Sequence, residues 1–168
     1  MRTLLVVVLG VAASCGSNGP VDPIWSSSVS QLVLHSLGVN SMLPHPTVEC
    51  LTESSEFMLV VADPSLSAWS CTAGPSPPFP TIYATASRTL SEAELDALVP
   101  TLEALRVAEQ DCRGRRPAVV TLTVTTPSST VEYLDARFCQ QNDDRPKIEG
   151  QALDALGKAL RQLAFPQP

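Results

Sequence analysis

The sequence predicts an α+β domain, an antiparallel sheet with two helices packed on one face, stapled by disulfides. Three observations predict it. Strand-like segments are bunched rather than alternating one for one with helices, as an antiparallel sheet with segregated helices requires. Two segments, Ser91 to Leu105 and Leu153 to Leu163, repeat apolar residues at three and four positions, giving one buried helical face each. Four cysteines stand in the body of the chain, Cys50, Cys71, Cys112 and Cys139, an even set suited to cross-linking in an oxidising compartment.

Taken in order, Val29 to Leu37 interleaves Val29, Leu32, Val33, Leu34 and Leu37, a pattern that fits either a strand or a short helix and is read as a strand. Glu56 to Asp63 is a continuous apolar run and suits a strand buried on both faces. Asp63-Pro64-Ser65 marks a turn, after which Leu66 to Thr72 returns as a strand carrying Trp69 and Cys71. Pro75, Pro77, Pro78 and Pro80 make the next segment a stiff loop, because proline supplies no N–H to a sheet interior. Thr81 to Thr89 alternates Ile82, Ala84 and Ala86 against Tyr83, Thr85 and Ser87, as a half-buried strand should.

Ser91-Glu92-Ala93-Glu94 is a capping box, with Leu90 and Leu95 placed as a hydrophobic staple, so a helix starts there. Its buried stripe is Leu95, Leu98, Val99, Leu102 and Leu105, and Pro100 predicts a kink or a break into two short helices near Ala97 to Val99. Ala118 to Thr125 and Thr130 to Phe138 alternate as strands around a Pro127-Ser128-Ser129 hairpin turn. Asn142 to Lys147 is a polar loop. A last helix carries Leu153, Leu156, Leu160 and Leu163 and stops before Phe165-Pro166.

The chain has 168 residues, 44% hydrophobic and 17% charged, enough to bury the core of one domain. Its net charge of −6 argues against binding to nucleic acid, which draws on clustered Lys and Arg. Met1 and Arg2 precede an apolar run from Thr3 to Ala13 that is too short to span a bilayer, which needs about 20 residues. Small residues follow, and this is the anatomy of a signal peptide over residues 1–14.

Val11-Ala12-Ala13-Ser14-Cys15 resembles the lipobox of bacterial lipoproteins, with Ala12 where Leu is usual. The resemblance covers only these first residues. It implies lipidation at Cys15 and removal of the preceding peptide, leaving a membrane-anchored exported domain; Gly16, rather than Asp, implies an outer-membrane destination. Lipidation also explains the odd count of five cysteines, since four then remain to pair. Residues 15–28, polar and rich in Gly, Pro and Ser, read as the lipidated cysteine and a flexible tether, and residues 29–168 as one domain. Trp25 is expected to pack on the domain's edge.

Four cysteines allow three pairings. A hairpin of the two late strands returns Cys139 beside Pro117, within a short loop's reach of Cys112, which favours Cys112 with Cys139 and leaves Cys50 for Cys71. Each closed loop contributes about 2–4 kcal/mol, mainly by restricting the unfolded chain.

Catalytic machinery is not legible. No Gly-x-Ser-x-Gly elbow is present, the imidazoles are His35 and His45 alone, and the cysteine spacings do not suit zinc. Asp143 and Asp144 lack the spacing of a calcium loop and read as a solvated acidic turn. No cofactor or metal is expected, and the chain is expected not to be an enzyme. Two features suit binding: the cations Arg113, Arg115 and Arg116, as a clamp for a carboxylate or phosphate, and Phe79, held out by the proline loop. The expectation is a lipid-anchored binding module of the cell envelope, tethered to the membrane through its lipid, with an envelope protein as its partner. The rival is a protease inhibitor using the rigid loop Pro75 to Pro80, and an envelope enzyme is the remote third.

Overall fold

The computed structural model describes residues 23–37, 54–72, 82–108, 120–137 and 143–166. In these, seven strands form one sheet and two helices join it in an α+β arrangement. The strands are β1 (Gln31–Leu37), β2 (Ser54–Val60), β3 (Ser65–Thr72), β4 (Ile82–Thr89), β5 (Val120–Thr125), β6 (Thr130–Asp135) and β7 (Lys147–Ile148). The helices are α1 (Glu92–Glu103) and α2 (Gly150–Ala164). The spatial order is β4-β3-β2-β1-β5-β6-β7, so β1 holds the centre and both hairpin halves grow outward from it.

The register explains which side chains meet. Leu34 stands opposite Phe57 on β2 and Leu122 on β5, and Phe57 in turn opposite Ala68 on β3. Leu32 stands likewise opposite Leu59 and Val124. These residues point to one face and are buried together with Leu98 and Leu102 of α1 and Leu153, Leu156 and Leu160 of α2, in one continuous core. Both helices therefore serve the same face, and the leucine stripe of the second helix is buried as its spacing requires.

Four expectations are corrected. The sheet is mixed rather than wholly antiparallel: the other five pairings are antiparallel, but β7 runs parallel to β6, with Asp135 opposite Ile148. Lys147 thus belongs to a short strand rather than a loop, held by Leu134 N–H to Pro146 O at 2.9 Å and Ala136 N–H to Ile148 O at 3.0 Å. Periodicity could not show this, because two residues carry no period.

The strand buried on both faces is β3, not the apolar run of β2. Strand β2 alternates buried and half-buried residues, because Glu56, Met58 and Val60 face away from the helices. In β3, Ala68 and Ser70 are buried on the helix side, while Trp69 and Cys71 are buried as a small cluster of their own on the other. The Trp69 ring meets the His35 ring edge-on, 6.1 Å between centroids, and so covers its own strand.

Helix α1 is not broken at Pro100, which sits in its last turn. The lost proline N–H affects one hydrogen bond near a helix end that frays in any case, and the helix closes through Ala104 N–H to Pro100 O and Leu105 N–H to Leu102 O. Its start is the expected capping box: Glu94 N–H donates to Ser91 Oγ at 3.3 Å, and Ser91 N–H to Glu94 Oε2 at 2.9 Å.

The domain begins earlier than position 29. Pro23 bridges Arg106, Ile24 is buried in the core and Trp25 packs against it, so the last part of the expected tether is docked and Trp25 lies on the domain's edge.

Candidate functional site

The two ends of the sheet are built differently. At one end the strands turn tightly, through Val61–Pro64 and through Thr126–Ser129, where Thr126 N–H donates to Ser129 O at 2.8 Å. The opposite end holds the end of β1, the start of β2, the end of β3, the starts of β4 and β5 and the end of β6, as the pairs Leu37 with Ser54, Cys71 with Tyr83, Ser36 with Val120 and Thr121 with Leu134 require. The longer connections, residues 38–53, 73–81, 109–119 and 138–142, each attach to this second end by at least one flank.

Those connections carry most of the residues singled out in the sequence. Phe79, Arg113, Arg115 and Arg116 lie outside the described residues, as do the proline loop, His45, Cys50, Cys112, Cys139, Cys15 and the leader. Of the five cysteines, Cys71 alone is described; it is 2% exposed.

At the same end, on the helix face, α2 stands off the sheet and leaves a cleft of about 300 Å³. Its floor is Leu34 and Ser36 of β1 and Ser55 and Phe57 of β2. Its wall is the α2 flank that carries Asp154, Gly157, Lys158 and Arg161, one stripe at three- and four-residue spacing beside the buried leucines. Gly157 explains the opening: a Cβ there would meet only Leu34 Cδ2, at 3.4 Å. The Arg161 guanidinium lies over the Phe57 ring, 5.9 Å from its centroid, a cation–π contact that holds it at the cleft.

The polar groups of the floor are short of partners. Ser36, Ser55 and Ser70 stand in one cross-strand row on the helix face, and Ser55 and Ser70 are 6% and 3% exposed. The Ser70 hydroxyl is buried with no hydrogen-bond partner among the described residues, a cost of about 1–3 kcal/mol. Apolar residues would line this row more cheaply, so the hydroxyls mark it as something other than plain core.

One end of the cleft is made rigid by charge. Arg137, just past β6, donates through Nε and Nη2 to Asp135, at 3.1 and 2.7 Å, and through Nη1 and Nη2 to Asp154 on α2, at 2.7 and 2.9 Å. Asp135 is fully buried. These hydrogen bonds to Asp154, then to Asp135, raise the Arg137 pKa further above its ordinary value. Gly150 at the start of α2 makes room for this guanidinium, since a Cβ would land 1.9 Å from Arg137 Nε. The single guanidinium is thus shared by two carboxylates, a group of net charge −1, while Lys158 and Arg161 form no ion pair among the described residues.

Two other polar places are accounted for by their own contacts. His35 Nδ1 lies 3.2 Å from Glu56 Oε2 on the neighbouring strand, beside Trp69, and no third acid or thiol among the described residues completes a metal group. Asp143 is held by Arg145 through Nε at 3.0 Å and Nη2 at 2.6 Å, hydrogen bonds that lower its pKa to about 2. A second recess, about 560 Å³, lies between Trp25 and the end of α1, where Arg106 is turned inward onto the carbonyls of Glu103 and Leu105.

Sequence reasoning missed Ser36, Ser55, Lys158, Arg161 and the Arg137 bridge. The one signal available was two cations three residues apart at the edge of a leucine stripe, which by itself describes many solvated helices. No helix among the described residues is long and apolar enough to cross a membrane. No family model matches this chain. Neither a curated protein nor a solved structure matches it.

Proposed function

We propose that this chain is a lipid-anchored binding module of the cell envelope, held through Cys15 and engaging an envelope protein at the end of the sheet where the long connections attach. The single observation that carries the binding reading is the asymmetry of the sheet. Tight turns occupy one end, and the strand ends from which four longer connections leave lie at the other, where the α2 cleft opens. A rigid sheet that gathers its loops and a cleft at one end is the usual arrangement of a recognition surface. Phe79, Arg113, Arg115 and Arg116 belong to those connections and are its proposed contact residues.

In the same reading, the disulfides close that end. Cys71 stands opposite Ser54, and Cys50 precedes Ser54 by a turn's length of chain, which supports Cys50 with Cys71. The β5–β6 register, Thr121 with Leu134, supports Cys112 with Cys139. A membrane tether is supported by the lipobox-like residues around Cys15 and by a net charge that repels anionic headgroups, leaving the holding to lipid.

Intact mass of the protein extracted from membranes tests the anchor. The expected result is an acylated chain beginning at Cys15 with the other four cysteines inert to alkylation; an unacylated soluble chain beginning at Ser14 would overturn it. Binding is tested by cross-linked capture from envelope extracts, comparing the wild type with Phe79→Ala and with Arg113, Arg115 and Arg116 replaced by Gln. Loss of a specific captured band in both variants is expected. Inhibition of a protease in a broad panel, lost with Phe79→Ala, would favour the inhibitor reading instead.

A further inference from the structure

The geometry points to the α2 cleft as a binding site for an amphipathic carboxylate, a single carboxylate on an apolar body of fewer than ten carbons. This rests on the binding-module reading and names the ligand chemistry of one part of it.

Charge selects the headgroup. On a chain of net charge −6, the described arginines at 88, 137 and 145 are each committed to carboxylates. Lys147 and Arg106 donate to backbone carbonyls. Lys158 and Arg161, one helical turn apart on the cleft wall, have no such carboxylate partner among the described residues. A guanidinium beside an ammonium is a receptor for one carboxylate, the guanidinium giving the paired donors and the ammonium the point charge. Asp154, which also faces the cleft, is held through both of its oxygens by Arg137, and the two cations Lys158 and Arg161 outweigh the net charge of −1 that Asp135, Arg137 and Asp154 carry together.

The floor supplies the rest. Ser55 is 94% buried by its 6% exposure and lines the cleft, and its hydroxyl has no hydrogen-bond partner among the described residues; the hydroxyl of Ser36, beside it in register, has none either. Two hydroxyls without a partner among the described residues can donate to a carboxylate oxygen. Leu34, Phe57 and Leu153 provide the apolar surface for the remainder of the ligand. At about 30 Å³ per non-hydrogen atom, the share of a water in the liquid, a cleft of about 300 Å³ takes roughly ten atoms, the size of octanoate. Such a group reaches the site either as a free short-chain acid or as the C-terminal residue of a partner polypeptide.

The test uses the full chain carrying Cys15→Ser, which removes the proposed acylation site, titrated by calorimetry and by amide shifts of α2. Octanoate is expected to bind with a Kd on the order of 100 µM. Octan-1-ol and octylammonium are expected to bind at least tenfold more weakly, and K158Q/R161Q to lose at least tenfold for octanoate. Gly157→Leu places a side chain in the cleft, its Cβ in ordinary contact with Leu34 Cδ2, and is expected to abolish binding while leaving the thermal midpoint unchanged or raised.

An N-acetylated dipeptide ending in Leu, compared as free acid and amide, separates the sources: tighter binding of the free acid than of octanoate assigns the site to a partner's C-terminus, and the reverse to a free acid. No octanoate binding, equal binding of the alcohol, or binding undiminished in Gly157→Leu overturns the assignment. Loss of octanoate binding with envelope capture intact removes only the cleft's ligand; loss of capture with octanoate binding intact removes the envelope partner and spares the cleft.

Discussion

Single residues with few alternatives lie where β6 meets α2. Asp135 is fully buried and its charge is met by Arg137; removing the guanidinium leaves that buried carboxylate uncompensated, at a cost of about 3–5 kcal/mol. Arg137→Ala is therefore expected to lose stability on that scale in urea unfolding. Gly150 offers a sharper check, because Ala is ordinarily better than Gly in a helix by about 1 kcal/mol. Here the added Cβ collides with Arg137, so Gly150→Ala is expected to destabilise by about 2 kcal/mol in the wild type and to be neutral or stabilising in Arg137→Ala. Equal effects in both backgrounds would show that the guanidinium does not fill that space. Ser70→Ala, which removes an unpartnered buried hydroxyl, is expected to be neutral or to add about 1 kcal/mol. None of these residues stands out in the sequence, since Gly150 begins a helix without a side-chain cap and Asp135 ends a strand like any polar residue.

At the level of the element, α1 was legible because capping is local. Ser91 and Glu94 meet within one turn, and Arg88 of β4 completes the group, giving Nη2 to Glu94 Oε1 at 2.5 Å and Nη1 to Leu163 O of α2 at 3.2 Å. Ser91→Ala is expected to cost about 1 kcal/mol. The backbone and side chain of Ser91, then Arg88, hold Glu94 below its ordinary value of 4.5. A carboxylate with a depressed folded pKa contributes stability above its unfolded value and loses it as pH falls through the folded one. Glu94 and Asp143, the latter lowered to about 2, thus predict denaturation midpoints that are level from pH 7 to about 5 and fall between about 4.5 and 2. Ser91→Ala should flatten part of that acid limb; an unchanged acid limb in the variant would exclude the capping box as a contributor. The strand that local reading misjudged is β2, whose apolar run says nothing of whether a second layer exists to cover Met58 and Val60.

For the whole molecule, the decisive feature is that both helices cover one face of the sheet and that the longer connections attach at one end of it. Leu156, fully buried between α2 and the sheet, should cost about 2–5 kcal/mol when cut to Ala, and the loss should appear in global unfolding because the core is continuous across both helices. What the sequence by itself determined is the α+β class, the main strands, both helices and the α1 cap, because each follows from periodicity or from groups within a few residues of one another. The register, the parallel β7, the double burial of β3, the passage of α1 through Pro100 and the pairing of α2 with the serine row were decided only by tertiary structure. They join residues far apart in the chain, and their energies depend on what stands opposite, which no local pattern records.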